Sequence, residues 1–268
     1  MRYFATINDP VRMPSISAAQ RQKHIIDVLK VHGHATVSKL SSELDVSEVT
    51  IRKDLQVLDD RKLLVRTHGG AVLMDHYLYD LPFDEKSRVR VEEKRRIGKQ
   101  AAELVHDGQT LVMNAGSTTV QVARHIRGRK NLTIATNALF VAVELLNNLD
   151  VEILALGGIL HSTTGATVGP EAENMLRKLT FDYLFLAGDG FDIEHGITTT
   201  NVLEAHLSQA MILSARCKVV VMDSTKFGRR GLTRVCDVRE VDVVITDEGV
   251  PDETRSALED IGLRFIIV

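Results

Sequence analysis

The stretch TVSKLSSELDVSEVTIRKDLQVLDDRKLLVRTHGGAV, residues 36–72, constrains the fold more than any other part of the chain. Val37, Leu40 and Leu44 recur at i, i+3 and i+7, one face of a two-turn helix, and Asp45-Val46 reads as a turn. Ser47 then caps a helix running to about Arg61, with Ile51, Leu55 and Leu58 at i, i+4 and i+7. Upstream, Ser17 to His32 carries Ile25, Ile26 and Leu29 at helical spacing. Downstream, Leu63–Arg66 reads as a strand, Thr67-His68-Gly69-Gly70 as a turn and Ala71–Leu73 as the return strand. Three helices and a hairpin in so short a span specify an α+β winged helix-turn-helix domain over residues 15–73. A flexible lead-in, 1–14, precedes it.

In such a motif the second helix of the pair enters the major groove and its first turns meet base edges. With Ile51, Leu55 and Leu58 turned inward, Ser47, Glu48, Thr50, Arg52 and Lys53 face outward near the start of that helix. Arg and Lys pair with guanine O6/N7, Ser and Thr reach bases or phosphates, and Glu accepts from cytosine N4. Val49 is placed to touch a thymine methyl. Thr36, Ser38 and Lys39 on the preceding helix are placed for phosphates, and Arg66 and His68 in the hairpin for an adjacent groove. Asp54 has the wrong charge for a phosphate neighbour and is expected to orient Arg52 or another nearby basic residue. The partner expected is double-stranded operator DNA.

The run EVTIRKDLQVLDDRKLLVRTHGGAVL resembles the DNA-binding domain of the DeoR family of bacterial sugar-catabolism regulators. The family's V-S-x-x-T-[IV]-R-x-D-L-x-x-L run and its G-G-[AV] wing end are present nearly intact. The resemblance implies a repressor of a carbohydrate-utilisation operon, acting as a dimer or tetramer.

Residues 74–92, MDHYLYDLPFDEKSRVRVE, have no clean period and read as a linker. From 93 to 268 the pattern alternates. Strand-like runs at Thr110–Met113, Leu132–Ala135, Val151–Leu156, Tyr183–Ala187, Lys218–Met222, Val241–Thr246 and Leu263–Val268 are interleaved with helix-like runs. Several strands, such as VVVM and DVVIT, are apolar without alternation, as strands buried on both faces of a parallel sheet are. The expected architecture is an α/β domain with a mostly parallel, doubly wound sheet.

In such a sheet, ligands bind outside the carboxyl ends of the strands. Asn114-Ala115-Gly116-Ser117-Thr118-Thr119 follows a strand and opens a helix, which aims backbone N–H groups at one spot and favours a phosphate there. Asn137, Gly158, Asp189 and Lys226 sit at matching strand ends, with Thr198, Thr199 and Glu204 nearby. A sugar phosphate offers an anion for the loop and hydroxyls for Asn137, Asp189 and Glu204. The loop lacks the Lys of a P-loop and the G-x-G-x-x-G of a dinucleotide site, so neither ATP nor NAD is expected, nor any other cofactor.

This half also resembles the DeoR sensor domain, in its strand–[DN]-x-G-[ST]-T loop, L-G-G, G-P-x-A-E, G-[LI]-T-T and D-S-[ST]-K-F-G segments. That domain is similar in turn to ribose 5-phosphate isomerase and CoA transferases. By that similarity Asp189, Glu204 and Lys226 match polar residues of the isomerase site, Glu204 its general base. A sugar-phosphate isomerase with an appended DNA-binding domain is therefore the alternative reading. Against it, Leu186 stands where the isomerase has a second Asp, and an apolar residue cannot hold substrate hydroxyls.

Lys+Arg total 33 and Asp+Glu 36, a net charge of −3, so the chain is not coated in basic charge. Residues 16–70 carry nine basic against seven acidic residues, a slight local positive excess. Two cysteines make no disulfide framework and fit a reduced cytoplasm. No apolar run approaches the roughly 18 residues of a membrane span. The ten histidines show no metal-ligand spacing, and no metal site is expected.

Overall fold

The computed structural model describes residues 16–32, 34–61, 63–67, 69–73, 82–146 and 150–268. The chain divides into two compact units, Met1–Leu78 and Tyr79–Val268.

The first unit runs α1 (Ala18–His32), β1 (His34–Thr36), α2 (Val37–Leu44), α3 (Glu48–Asp60), β2 (Leu64–Thr67) and β3 (Gly70–Leu73). Ile25 and Leu29 from α1, Leu40 and Leu44 from α2, and Ile51, Leu55 and Leu58 from α3 meet in one apolar core. The α2–α3 turn is closed by Asp45, which takes the left-handed conformation at the end of α2. Thr36 and Ser47 each cap the helix that follows by accepting a backbone N–H three residues on, both at 3.3 Å. The sequence gives no warning of β1, three residues that pair antiparallel with β3 to make a three-stranded wing sheet in the order β1-β3-β2. Its register sets Thr36 opposite Gly70, where a Cβ would run into the Ala35 carbonyl.

The second unit begins with α4 (Phe83–Arg88) and α5 (Val91–Ala102). The stretch expected as linker is thus largely structured. From Pro82 onward it supplies α4 and the first residues of α5, while 74–81, like the lead-in 1–14, lie outside the described residues. The short α4 carries no buried residue and hence no apolar period to read.

There follow β4 (Thr110–Met113), α6 (Ser117–His125), β5 (Leu132–Thr136), α7 (Leu139–Leu145), β6 (Val151–Ala155), β7 (Ile159–His161), β8 (Ala166–Val168), α8 (Pro170–Leu176) and β9 (Phe181–Leu186). The chain ends with β10 (Gly190–Asp192), β11 (Gly196–Thr199), α9 (Val202–Ser214), β12 (Ala215–Val221), β13 (Thr233–Cys236), β14 (Val243–Thr246), α10 (Asp252–Asp260) and β15 (Arg264–Ile267). Seven strands form the main sheet in the order β15-β14-β12-β9-β4-β5-β6, and every pairing in it is parallel.

Alternate residues of the central strands feed two different cores. Val112, Leu184, Val220 and Val244 pack in one. Leu111, Met113, Phe185, Val219, Val221 and Ile245 pack in the other. That two-sided burial is why these strands read as unbroken apolar runs. Two small antiparallel sheets, β7-β8 and β10-β11-β13, are additions that periodicity did not show.

Candidate functional site

In the first unit α3 offers its start to solvent. Val49, Arg52 and Lys53 are exposed, and Ile51, Asp54, Leu55 and Leu58 are buried. Arg52 donates to Glu48 one turn back at 2.6 Å. Ser47 and Thr50 share a hydroxyl–hydroxyl bond of 2.9 Å. Thr36, Ser38 and Lys39 are exposed at the start of α2. Arg66 on β2 donates to the Gln56 side chain, which in turn donates to Asp60 at 2.9 Å. The wing arginine is thus held by the helix beside it, through a residue the sequence did not single out. His68 lies outside the described residues.

Asp54 pairs with a basic residue as expected, by the second of the two alternatives. Its partner is not Arg52 but Arg21 of α1, with Nε at 2.7 Å and Nη2 at 3.3 Å, joined by Gln22 at 3.3 Å. The helical period places Asp54 on the inner face, next to the residue that α1 presents, and no local spacing shows that contact.

In the second unit, the loops after β4, β5, β9, β12 and β14 share one edge of the parallel sheet. Gly116 precedes α6, and the first bond of that helix runs from Val120 N–H to the Gly116 carbonyl at 3.1 Å. The N–H groups of Ser117, Thr118 and Thr119 therefore have no acceptor within the helix and carry its positive dipole end. The Ser117 and Thr118 hydroxyls make no hydrogen bond among the described residues.

Three of the expected ligand-facing side chains are instead tied to backbone. Asn114 donates to the Ala187 carbonyl and accepts from its N–H, both at 2.8 Å. Thr119 donates to the Asn114 and Gly116 carbonyls at 2.9 and 2.8 Å. Thr198 accepts from Gly231 N–H at 2.7 Å. Asn137 donates to the Thr167 carbonyl at 2.9 Å, with its Oδ1 buried and unpartnered. Gly158 meets a conformational need, since its φ is +128° and a Cβ would strike the Val168 carbonyl.

Asp189 is the hub of what remains. Its Oδ1 accepts from Lys86 Nζ at 3.1 Å, and its Oδ2 from Thr199 Oγ1 at 3.0 Å and Thr200 N–H at 3.2 Å. Burial opposes its ionisation, but the charges of Lys86 and Lys226 and the bonds from Lys86 and Thr199 prevail and hold the carboxyl below its usual range. Burial likewise depresses Lys226, against the pull of Asp223 and Asp189.

Lys94, only 5% exposed, donates to the Lys86 and Val89 carbonyls at 2.7 and 2.8 Å and lies 3.9 Å from Asp223. Burial brings it down to about 8; Asp223 resists, while Lys226 and Lys86 add to the fall. Arg90 holds the left-handed conformation at the start of α5, φ 55°. It donates to Ser224 at 3.0 Å and Asp247 at 2.9 Å.

Lys86, Lys94, Lys226 and Arg90 thus face Asp189, Asp223 and Asp247 in one largely buried cluster. The sequence missed Lys86 and Arg90 because they lie in the supposed linker, and Lys94 because it stands among charged neighbours at the start of the helix that follows. Asp247 closes a strand as Asp189 and Asp223 nearly do, and the strand-end rule applied to β14 would have found it.

Glu204 sits in the first turn of α9, whose start Asn201 caps. It accepts from Thr164 at 2.8 Å and lies 3.4 Å from His161 Nδ1, so the turn after β7 reaches it. The chain joins it directly to Thr199 and Thr200, which hold Asp189. Leu186, the last residue of β9, is fully buried in the core. Among the described residues, Asp192, Glu194 and His195 form an exposed group close enough to share a metal ion, but Arg230 already bridges Asp192 and Glu194 at 2.9 and 3.3 Å. No described helix is long and apolar enough to cross a membrane.

A winged helix-turn-helix ahead of an α/β domain with polar strand ends defines a DNA-reading regulator with a separate small-molecule domain. The chain belongs to the DeoR family: residues 21–76 match the DeoR-like helix-turn-helix domain and residues 89–248 the DeoR C terminal sensor domain. It is 35% identical to the HTH-type transcriptional regulator GlpR of Haloferax volcanii, over 92% of this chain and 97% of that one. It is 32% identical to the glycerol-3-phosphate regulon repressor of Escherichia coli K12, over 90% and 95%. Ribose 5-phosphate isomerase A from Neisseria gonorrhoeae aligns at 13% identity over 51% of this chain and 53% of its own, with a TM-score of 0.38, too distant to carry an argument.

Proposed function

We propose that this repressor is released from, or held on, its operator by a phosphorylated sugar or sugar alcohol bound in the second unit. The observation that carries the proposal is the gathering of Lys86, Lys94 and Lys226 at the carboxyl edge of the sheet, beside a helix start with free N–H groups. With Arg90, four cations face three carboxylates, Asp189, Asp223 and Asp247, and the helix N–H groups add to that positive excess for an anion. Glu204 and Thr199 supply acceptors and donors for hydroxyls. The repressor named for the glycerol-3-phosphate regulon is in keeping with a ligand of this class. The ligand acts only if it binds the DNA-competent and DNA-incompetent states unequally. The chain works where its DNA is, in the cytoplasm, without turning its ligand over, since Leu186 leaves the site one carboxylate short.

The test is a thermal-shift series with matched pairs of phosphorylated and unphosphorylated sugars and polyols, followed by operator retention. A phosphorylated member that raises the melting temperature of the second unit and changes operator affinity is expected. Equal shifts from both members of every pair would refute the anion site, and turnover of the ligand would refute a purely sensory role.

On the DNA side, Arg52→Ala is expected to weaken operator binding about 10–100-fold per half-site, the worth of a bidentate guanine contact. Affinity for random DNA should change far less. Titration of both DNAs checks this, and an equal loss on the two would reassign Arg52 to phosphate.

A further inference from the structure

The outer side of α3 carries a row of polar residues four apart: Glu48, Arg52, Gln56 and Asp60, all exposed. The bonds along the row diverge. Arg52 donates back toward the helix start, to Glu48, whereas Gln56 donates onward to Asp60. Because the Asp60 carboxylate takes the amide N–H, the amide oxygen of Gln56 is left to accept, and it accepts from Nη1 of Arg66. Arg66 comes from the wing. Leu64 and Arg66, two apart on β2, share one face of the strand. Leu64 enters the core that α3 lines with Leu55 and Leu58, and Arg66 reaches across to Gln56. The Arg66 guanidinium makes no other hydrogen bond among the described residues, so most of its fork of donors stays open.

We propose that Gln56 is a positioning residue for DNA binding, and that it holds Arg66 for a backbone phosphate beside the groove that α3 reads. The length of the row argues for a phosphate. Gln56 stands eight residues beyond Glu48, about 12 Å along the axis at 1.5 Å per residue. The major groove is about 12 Å wide and 8.5 Å deep. A helix that meets base edges with its first turns has therefore reached the groove rim, where the phosphates lie, by Gln56. A guanidinium with one N–H on Gln56 still has donors for two phosphate oxygens. Glutamine adds no charge. It restrains the arginine side chain beforehand, so less freedom is lost when the contact forms. A glutamine can also read adenine, but both ends of this amide are occupied, by Asp60 and Arg66.

The experiment uses no small molecule, so it stands apart from the effector proposal. The wild-type full chain selects its operator from a pool of random-sequence DNA. Binding of that duplex is then titrated over a range of salt for Gln56→Ala, Arg66→Ala and the double variant. Arg66→Ala is expected to weaken binding about tenfold. It should also flatten the log–log salt dependence by about 0.9 for each chain engaged. Gln56→Ala is expected to weaken binding about three- to tenfold and to flatten the slope in the same sense, although it removes no charge. A merely structural glutamine would leave that slope alone. The double variant should bind no more weakly than Arg66→Ala, since the two residues act as one unit. Both residues are exposed, so melting of the first unit should match wild type; if Gln56→Ala melts early, Gln56→Met is read in its place. Losses that add in the double variant, or a Gln56 variant with the wild-type slope, would overturn the proposal. A Gln56 variant that relaxes base preference at one operator position with its slope intact would overturn it in favour of a base reader. A wild-type chain that retains no duplex would refute the DNA-reading unit as a whole.

Discussion

Asp54→Ala is expected to unfold the amino-terminal unit and abolish operator binding, while the second unit keeps its own melting transition and its response to ligand. Asp54 is 4% exposed and is the acceptor for both Arg21 and Gln22. Removing it leaves the half-buried Arg21 guanidinium with only the Ile16 carbonyl and takes the acceptor from the Gln22 amide, which costs about 3–5 kcal/mol. The unit has little in reserve. Its described core comprises eleven buried apolar residues, and a domain of this length holds only about 3–9 kcal/mol in all, at roughly 0.05–0.15 kcal/mol per residue. Calorimetry and retention of operator DNA check the result. A variant that binds operator like wild type would show that the Arg21–Asp54 pair is not needed to hold α1 against α3.

The second large effect is expected from Lys94→Met: affinity for the phosphorylated ligand falls by about 100-fold, in the range seen when a buried charge partner is truncated, and operator affinity without ligand is unchanged. Lys94 is a buried cation whose charged form the fold disfavours, and it also pins the turn that carries Lys86 by donating to the Lys86 and Val89 carbonyls.

Its ionisation sets a pH dependence whose sign follows from the direction of the shift. The folded chain lowers Lys94 from 10.5 to about 8. Below about pH 8 both folded and unfolded chains hold the proton, and the folded state bears the full cost of the buried charge. Between about pH 8 and 10.5 the unfolded chain holds the proton and the folded chain does not. The contribution of Lys94 to stability therefore rises across that window, by about 3 kcal/mol in total at 1.36 kcal/mol per pH unit. A bound dianion reverses the preference and draws the proton back. Ligand affinity should decline above about pH 8, with uptake of close to one proton on binding. Calorimetric titration in buffers of different ionisation enthalpy measures that uptake, and its persistence in Lys94→Met would assign it to another group.

Much of the architecture was legible because it rests on local rules. The α3 stripe, the Ser47 cap and the seven apolar strands follow from spacing and two-sided burial. The three-residue strands β1, β7, β8 and β10 were not legible, because a strand that short shows no period. Nor was β11, which pairs with β13 some forty residues on. The site divides in the same way. Strand-end loops led to Asp189, Thr199, Glu204 and Lys226. They also led to Asn114, Thr119 and Thr198, whose side chains close the chain's own turns, a use of Asn and Thr that composition does not separate from ligand binding. Lys86, Arg90 and Lys94 were hidden because lysine and arginine between charged neighbours read as solvated surface. Only the fold shows that α4 and the start of α5 lie over the sheet edge.

Those two helices have a consequence for how the protein keeps its threshold. In the proposed function, the cations that would take up a ligand are already partnered by the protein's own aspartates, Lys86 by Asp189 and Arg90 by Asp247. An incoming phosphate must outcompete a built-in rival. The metabolite level at which the repressor answers is then set as much by the grip of those two carboxylates as by the lysines themselves, and relatives answering to scarcer metabolites could be tuned by loosening the incumbents.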